Sequence, residues 1–154
     1  MAWNAWKKGY RIGVIASSDH YSTHISYAMV YTPSPSRADI FESIRKRHTY
    51  GATDNIVLEF WLGDHFMGDD FSAREKQNLR VRVQGTGDIE KIHVIRDAKY
   101  IYTISPGQNS PGKREVEFEY ADNEVGAGEH WYYIRVEQKD QELAWSSPIW
   151  VTYD

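Results

Sequence analysis

From residue 55 onward apolar side chains recur at every second position, and that period constrains the fold more than any other feature. Ile56, Leu58, Phe60 and Leu62 alternate with Val57, Glu59 and Trp61, and Leu79-Arg-Val-Arg-Val83 and Val116-Glu-Phe-Glu-Tyr120 repeat the pattern. A period of two places successive side chains on opposite faces of a strand, so one face can be buried while the other meets water. Residues 89–96 and 100–104 are strand-like and joined across Asp97-Ala98 as a hairpin. Residues 130–138 and 143–153 form a last pair around Lys139-Asp-Gln141. Seven short strands separated by turn signals predict an antiparallel, Ig-like β-sandwich over residues 55–154. Pro148 cannot donate to a ladder, which marks the last strand as an edge or a bulge.

Residues 1–54 have a different texture. Arg11-Ile-Gly-Val-Ile-Ala-Ser17 is apolar on both faces, the pattern of a parallel strand covered on both sides. A polar loop follows, then a strand-like run over 25–32 that stops at Pro33-Ser-Pro35. Ser36 fits an N-cap, with Asp39 three residues on. A helix is expected over 37–47, with Ile40, Phe41 and Ile44 as a core-facing stripe, Glu42 and Lys46 as an i, i+4 pair, and Gly51 as terminator. The fold class is thus mainly β with a short α/β N-terminal segment, strand-loop-strand-helix. Residues 1–54 are expected to be a partial α/β unit and 55–154 the sandwich domain.

Composition removes several functions. The chain has 154 residues with 14% aromatics, 6 of them Trp and 11 Tyr, which is incompatible with disorder. No stretch approaches the ~18 uninterrupted apolar residues of a membrane span. A formal charge of -4 argues against a nucleic-acid partner. Zero Cys excludes disulfides, thiolate zinc sites and Cys nucleophiles, so any metal must be held by His, Asp and Glu. MAWNAWKKGY has no apolar h-region of ~7–15 residues after its Lys pair and is not a signal peptide, which leaves the compartment undetermined.

The densest group of ligand-type residues is Ser17-Ser-Asp-His-Tyr-Ser-Thr-His24. One carboxylate and two imidazoles, Asp19, His20 and His24, are suitable ligands for Zn, Mn or Fe. A second group is Arg45, Arg47 and His48, suited either to an anionic substrate or simply to complementing the helix C-terminus. Asp64, His65, Asp69 and Asp70 form a third, read as a solvated loop. Trp131 and Tyr133 share one strand face, with Tyr132, Ile134 and Val136 on the other. One face is therefore core, and the other is an aromatic platform or a surface against a neighbour.

Arg11-Ile-Gly-Val-Ile-Ala-Ser-Ser-Asp-His20 resembles the last metal-binding segment of polymerase-and-histidinol-phosphatase (PHP) type metallohydrolases. Ser22-Thr-His-Ile-Ser-Tyr27, Ile44-Arg-Lys-Arg-His-Thr-Tyr-Gly-Ala-Thr53, Phe66-Met-Gly68 and Ala144-Trp-Ser-Ser-Pro-Ile-Trp150 extend the resemblance over nearly the whole chain, to a branch whose distorted barrel precedes a C-terminal β-domain. The resemblance implies metal-activated water attacking a phosphoester, with Asp19 and His20, His24 or both as ligands. The usual element has one residue between Asp and His, whereas here His20 follows Asp19 directly and Tyr21 takes the expected ligand position. The family's earlier motifs are absent from this chain. The implied site is therefore incomplete, and its missing part would come from an upstream barrel portion of the parent protein or from another chain. The alternative is a non-catalytic sandwich that binds carbohydrate or a protein through its aromatic residues.

Overall fold

The computed structural model describes residues 2–18, 25–106 and 113–154. Its elements are α1 (Ala2–Lys7), β1 (Tyr27–Val30), α2 (Arg37–Arg45), β2 (Thr49–Ala52), β3 (Val57–Leu62), β4 (His65–Phe66), β5 (Asp70–Ala73), β6 (Asn78–Gln84), β7 (Ile89–Arg96), β8 (Lys99–Ile104), β9 (Glu115–Ala121), β10 (Gly128–Gln138), β11 (Leu143–Ser146) and β12 (Ile149–Tyr153). They form two sheets that pack as a β-sandwich. One runs β1-β2-β11-β10-β12-β5, with β7 on the other side of β10 and β8 beyond it; the second runs β4-β3-β6-β9. All ladders are antiparallel except that between β12 and β5.

The period-two strands fold as the sequence dictates. Leu58, Phe60 and Leu62 of β3, Leu79, Val81 and Val83 of β6, and Tyr132, Ile134 and Val136 of β10 face inward and share one core with Ile92 and Val94. Asp97 and Ala98 both adopt positive φ, 51° and 64°, the two-residue turn whose twist suits a hairpin. Pro148 lies between β11 and β12, where the chain leaves one ladder for another. The last strand is therefore two: β11 pairs with β2, and β12 with β5. Over residues 55–154 the described residues form ten strands, β3–β12, where seven were expected, because short pieces such as β4 and β5 carry polar residues that hide their period.

Several expectations for the N-terminal part change. The run Arg11–Ser17 is not a strand: among the described residues it has no ladder partner, and Ile12 and Ile15 are exposed. It lies instead against β2, where Gly13 and Gly51 permit close approach. A Cβ on Gly13 would fall 2.9 Å from Arg47 Cβ and from Ser147 Oγ. The helix forms with Ser36 as N-cap, its Oγ accepting from Asp39 N at 3.1 Å, but its apolar stripe does not face the core. Phe41 is 68% and Ile44 49% exposed, and only Ser43 is buried. Gly51 does not terminate it. His48 N donates to Ser43 O at 3.0 Å and Arg47 N to Ile44 O at 2.9 Å, with Arg47 itself at φ 62°, a Schellman closure on a non-glycine residue. β1 and β2, on the N-terminal side of the boundary expected between residues 54 and 55, share a sheet with β11, and Tyr50 and Ala52 belong to the common core.

A second, aromatic core covers the outer face of the larger sheet. Trp131, Tyr133, Ile95 and Trp150 are buried there beneath Trp6 of α1, which is 3% exposed. Trp6 packs 5.0 Å from Trp131 and 5.3 Å from Tyr133, and its Nε1 donates to Ile12 O at 2.9 Å. The close seat of the 11–18 segment on β2 yields a test: a Cβ at Gly51 would lie 2.9 Å from both Ala16 Cβ and Ala16 N. Gly51→Ala should lower stability by about 1–3 kcal/mol, the usual cost of overpacking, measured by chemical denaturation. An unchanged midpoint would mean that the segment does not hold this position in solution.

Candidate functional site

Asp19, His20 and His24 lie outside the described residues. Their flanks do not: Ser18 Oγ accepts from Ile25 N at 2.9 Å and Ser26 N at 3.0 Å, fastening the two ends together. Those ends stand by the Tyr27–Ala52 end of the β1–β2 ladder, while Arg47 and His48 precede its Thr49 end. Three residue steps, roughly 10 Å, separate the two ends.

The second candidate group is divided by its surroundings. Arg45 forks onto Glu42, Nε at 2.9 Å and Nη2 at 3.0 Å, on the exposed side of α2, where Lys46 also pairs with Glu42 at 3.7 Å. Arg47 turns the other way: its Nε donates to Gly68 O at 2.9 Å and its guanidinium lies 5.3 Å over the Trp150 ring. Arg11 lies 5.4 Å over the same ring, so the buried indole sits between two cations. Arg11 also pairs with Asp70 at 2.8 Å and with Glu129. His48 Nε2 lies 3.0 Å from Asp69 Oδ1, and Asp69 Oδ2 accepts from Phe66 N at 2.8 Å.

The structure therefore joins two groups that the sequence kept apart. Arg47, His48, His65, Asp69 and Asp70 line one open cavity of about 440 Å³. Asp69 was read as part of a solvated loop because its partner stands 21 residues away; bonds such as Gly68 N to Pro148 O and Arg47 Nε to Gly68 O hold the loop beside His48. Gly68, at φ 98°, fits beneath the carbonyls of Lys46 and Arg47, where any Cβ would collide. His65 stacks on Phe71 at 3.6 Å and its Nδ1 stands 3.8 Å from Asp69 Oδ2. Among the described residues no three His, Asp or Glu side chains converge closely enough to hold a metal ion.

A second cavity, about 390 Å³, opens on the outer face beside the aromatic core. Trp3, Trp6, Val14, Tyr100, Tyr133 and Trp145 wall it together with Arg135. Trp131 offers no ring to this space, being buried beneath Trp6. Burial pushes the Tyr133 hydroxyl up to about 12, partly countered by the Trp3 Nε1 that donates to it at 2.8 Å. Sequence reading overlooked Arg135, whose alternation with Ile134 and Val136 marks only an outward position. Its aromatic neighbours arrive from residues 3, 100 and 145.

This is a mainly β, sandwich-type protein, and no described helix is long and apolar enough to cross a membrane. Comparison with known proteins finds relatives in three chlamydiae. The chain is similar to a protein of Chlamydia muridarum (31% identical over 134 residues), one of Chlamydia pneumoniae (32% over 133) and one of Chlamydia trachomatis (31% over 134). Each of the three is described as an uncharacterised protein. Every alignment covers 75% of this chain but 21% of the relative, so the chain spans about a fifth of the length of these relatives. No family model matches, and no solved structure matches.

At the rim of the aromatic cavity, His93 gives a pH-dependent prediction. Burial holds its imidazole below the ordinary value of 6.5, outweighing the attraction of Glu137, whose Oε1 lies 3.3 Å from Nε2. The unfolded chain then binds more protons between the folded value and 6.5, so stability falls as pH drops through that interval. Denaturant titrations across this range should show the loss, and His93→Gln should flatten it. An equal slope in the variant would assign the effect elsewhere.

Proposed function

We propose that this chain is the C-terminal portion of a PHP-like metal-dependent hydrolase acting on phosphoester-type bonds, carrying its last metal-binding segment and an accessory β-sandwich. The observation that carries the reading is that the separate stretches bearing the resemblance meet in one place. Val14 N donates to Ser147 Oγ at 2.8 Å, Ser147 Oγ lies 3.1 Å from Thr49 Oγ1, and Gly68 N donates to Pro148 O at 2.9 Å. Gly13 abuts Arg47, and Gly51 abuts Ala16. Motifs from residues 11–18, 44–53, 66–68 and 144–150 thus act as one unit, which favours a shared structural purpose over four accidental likenesses.

The donor set suits the implied metal: Asp19, His20 and His24 offer one carboxylate and two imidazoles, the ligand types of Zn, Mn or Fe. A divalent ion so held lowers the pKa of bound water and supplies hydroxide near neutral pH. The Ser18 hydroxyl fastens both ends of the segment that bears these ligands. Arg47 and His48 would orient an anionic substrate, Arg47 through guanidinium N–H groups not given to Gly68 and His48 in the orientation set by Asp69. Arg45, committed to Glu42, contributes positive charge at the helix end. The resemblance implies further ligands in motifs that this chain does not carry, and an upstream barrel portion of the parent protein, or another chain, would supply them. The apolar side chains left open on α2, Phe41 and Ile44, support such a neighbour, since apolar surface of this kind favours burial.

Calorimetric titration with Mn²⁺ and Zn²⁺ tests the assignment. Asp19→Ala and His24→Ala should each weaken metal binding by at least about tenfold, a loss that disturbing outer-shell partners alone can cause. The chain should not hydrolyse a nitrophenyl phosphodiester until the preceding part of the longer parent is supplied. Unchanged metal affinity in both variants, or robust turnover by the chain alone, would overturn the reading.

A further inference from the structure

We infer that the cavity on the outer sheet face is a binding site for a small planar aromatic anion, gripped by Arg135 between aromatic walls. This inference does not rest on the hydrolase reading. The cavity, about 390 Å³, lies within the size range of small-molecule sites, and its walls are mostly aromatic with one cation among them. Trp3 and Trp6 come from α1, Tyr133 and Arg135 from β10, Tyr100 from β8 and Trp145 from β11. Four separate elements therefore hold the walls in place.

The chemistry of the walls selects the ligand. The Trp3 indole N–H is already spent on Tyr133 Oη at 2.8 Å, and that of Trp6 on Ile12 O at 2.9 Å. The Trp145 indole N–H and the Tyr100 and Tyr133 hydroxyls are the remaining donors, set in walls made mostly of ring faces. A polyhydroxylated sugar needs many polar partners and would find few, whereas a flat apolar body stacks on such faces.

Arg135 supplies the polar end. A guanidinium has five N–H groups, and two contacts engage this one: Nη1 donates to Tyr100 Oη at 3.2 Å, and Nη2 forms an ion pair with Glu137 Oε1 at 3.1 Å. Its Nε is buried and donates to nothing. Both contacts are long for hydrogen bonds, and neither uses the paired, fork-like geometry in which arginine holds a carboxylate or phosphate best. Glu137 offsets part of the charge but is shared with His93, 3.3 Å away. An anionic group entering beside Tyr100 would gain donors that the protein itself leaves unused.

Calorimetry with 2-naphthoate, its neutral isostere 2-naphthamide and cellotetraose tests this on the intact chain. Saturable one-site binding of 2-naphthoate is expected, with 2-naphthamide weaker by about tenfold or more, the scale of a charge-assisted pair. Arg135→Met should weaken 2-naphthoate to the level of the amide while leaving the amide unchanged. Trp145→Leu should weaken both, and far-ultraviolet circular dichroism establishes that each variant is folded. Equal affinity for acid and amide, an Arg135→Met variant that binds the acid like the parent, tighter binding of cellotetraose, or no saturation at millimolar ligand would each overturn the inference.

Discussion

The molecule depends on β10 being apolar in two different ways on its two faces. Tyr132, Ile134 and Val136 enter the core between the sheets, and Trp131 and Tyr133 enter the aromatic layer outside it. The same strand pairs with β7 along one edge and with β11 and β12 along the other. A slip of one residue would exchange the two sets, presenting indoles to an aliphatic core and isoleucine to an aromatic one. Register is therefore fixed by shape as well as by hydrogen bonds. Everything attached to the outer face, including α1 and the 11–18 segment, relies on that register.

The sandwich was largely legible because its strands keep one face wet, and water enforces alternation. The misreadings share a cause: local pattern carries no record of what lies across the chain. Arg11–Ser17 is apolar on both sides, which looks like a buried strand. In fact its backbone is pressed on β2 through Gly13 and Gly51, while Ile12 and Ile15 remain open. Ile40, Phe41 and Ile44 have the spacing of a core stripe, yet spacing cannot distinguish an intramolecular core from a surface made for another body. Phe41 and Ile44 are exposed in this chain.

The candidate sites were legible by residue type and not by partnership. Arg47 and His48 were singled out together with Arg45, but the helix closure at Arg47 sends them in different directions. Arg45 stays with Glu42, while Arg47 and His48 turn toward Gly68 and Asp69. Arg135 had no signal at all, since an outward arginine on a strand is ordinary until aromatic rings from remote segments gather around it. Sites built by long-range pairing are visible only after that pairing is known.

The parallel ladder between β12 and β5, together with the β2–β11 ladder, has a consequence for synthesis on the ribosome. Both join strands to partners made much later, with Ala52 opposite Ala144 and Ala73 opposite Tyr153. Loop closure over such distances must precede any gain from the contacts, so the first half of the chain cannot settle as it emerges. β2 and β5 wait, unpaired on that side, until β11 and β12 leave the exit tunnel. During that interval their edges are open to wrong partners, and the nascent chain is at its most aggregation-prone.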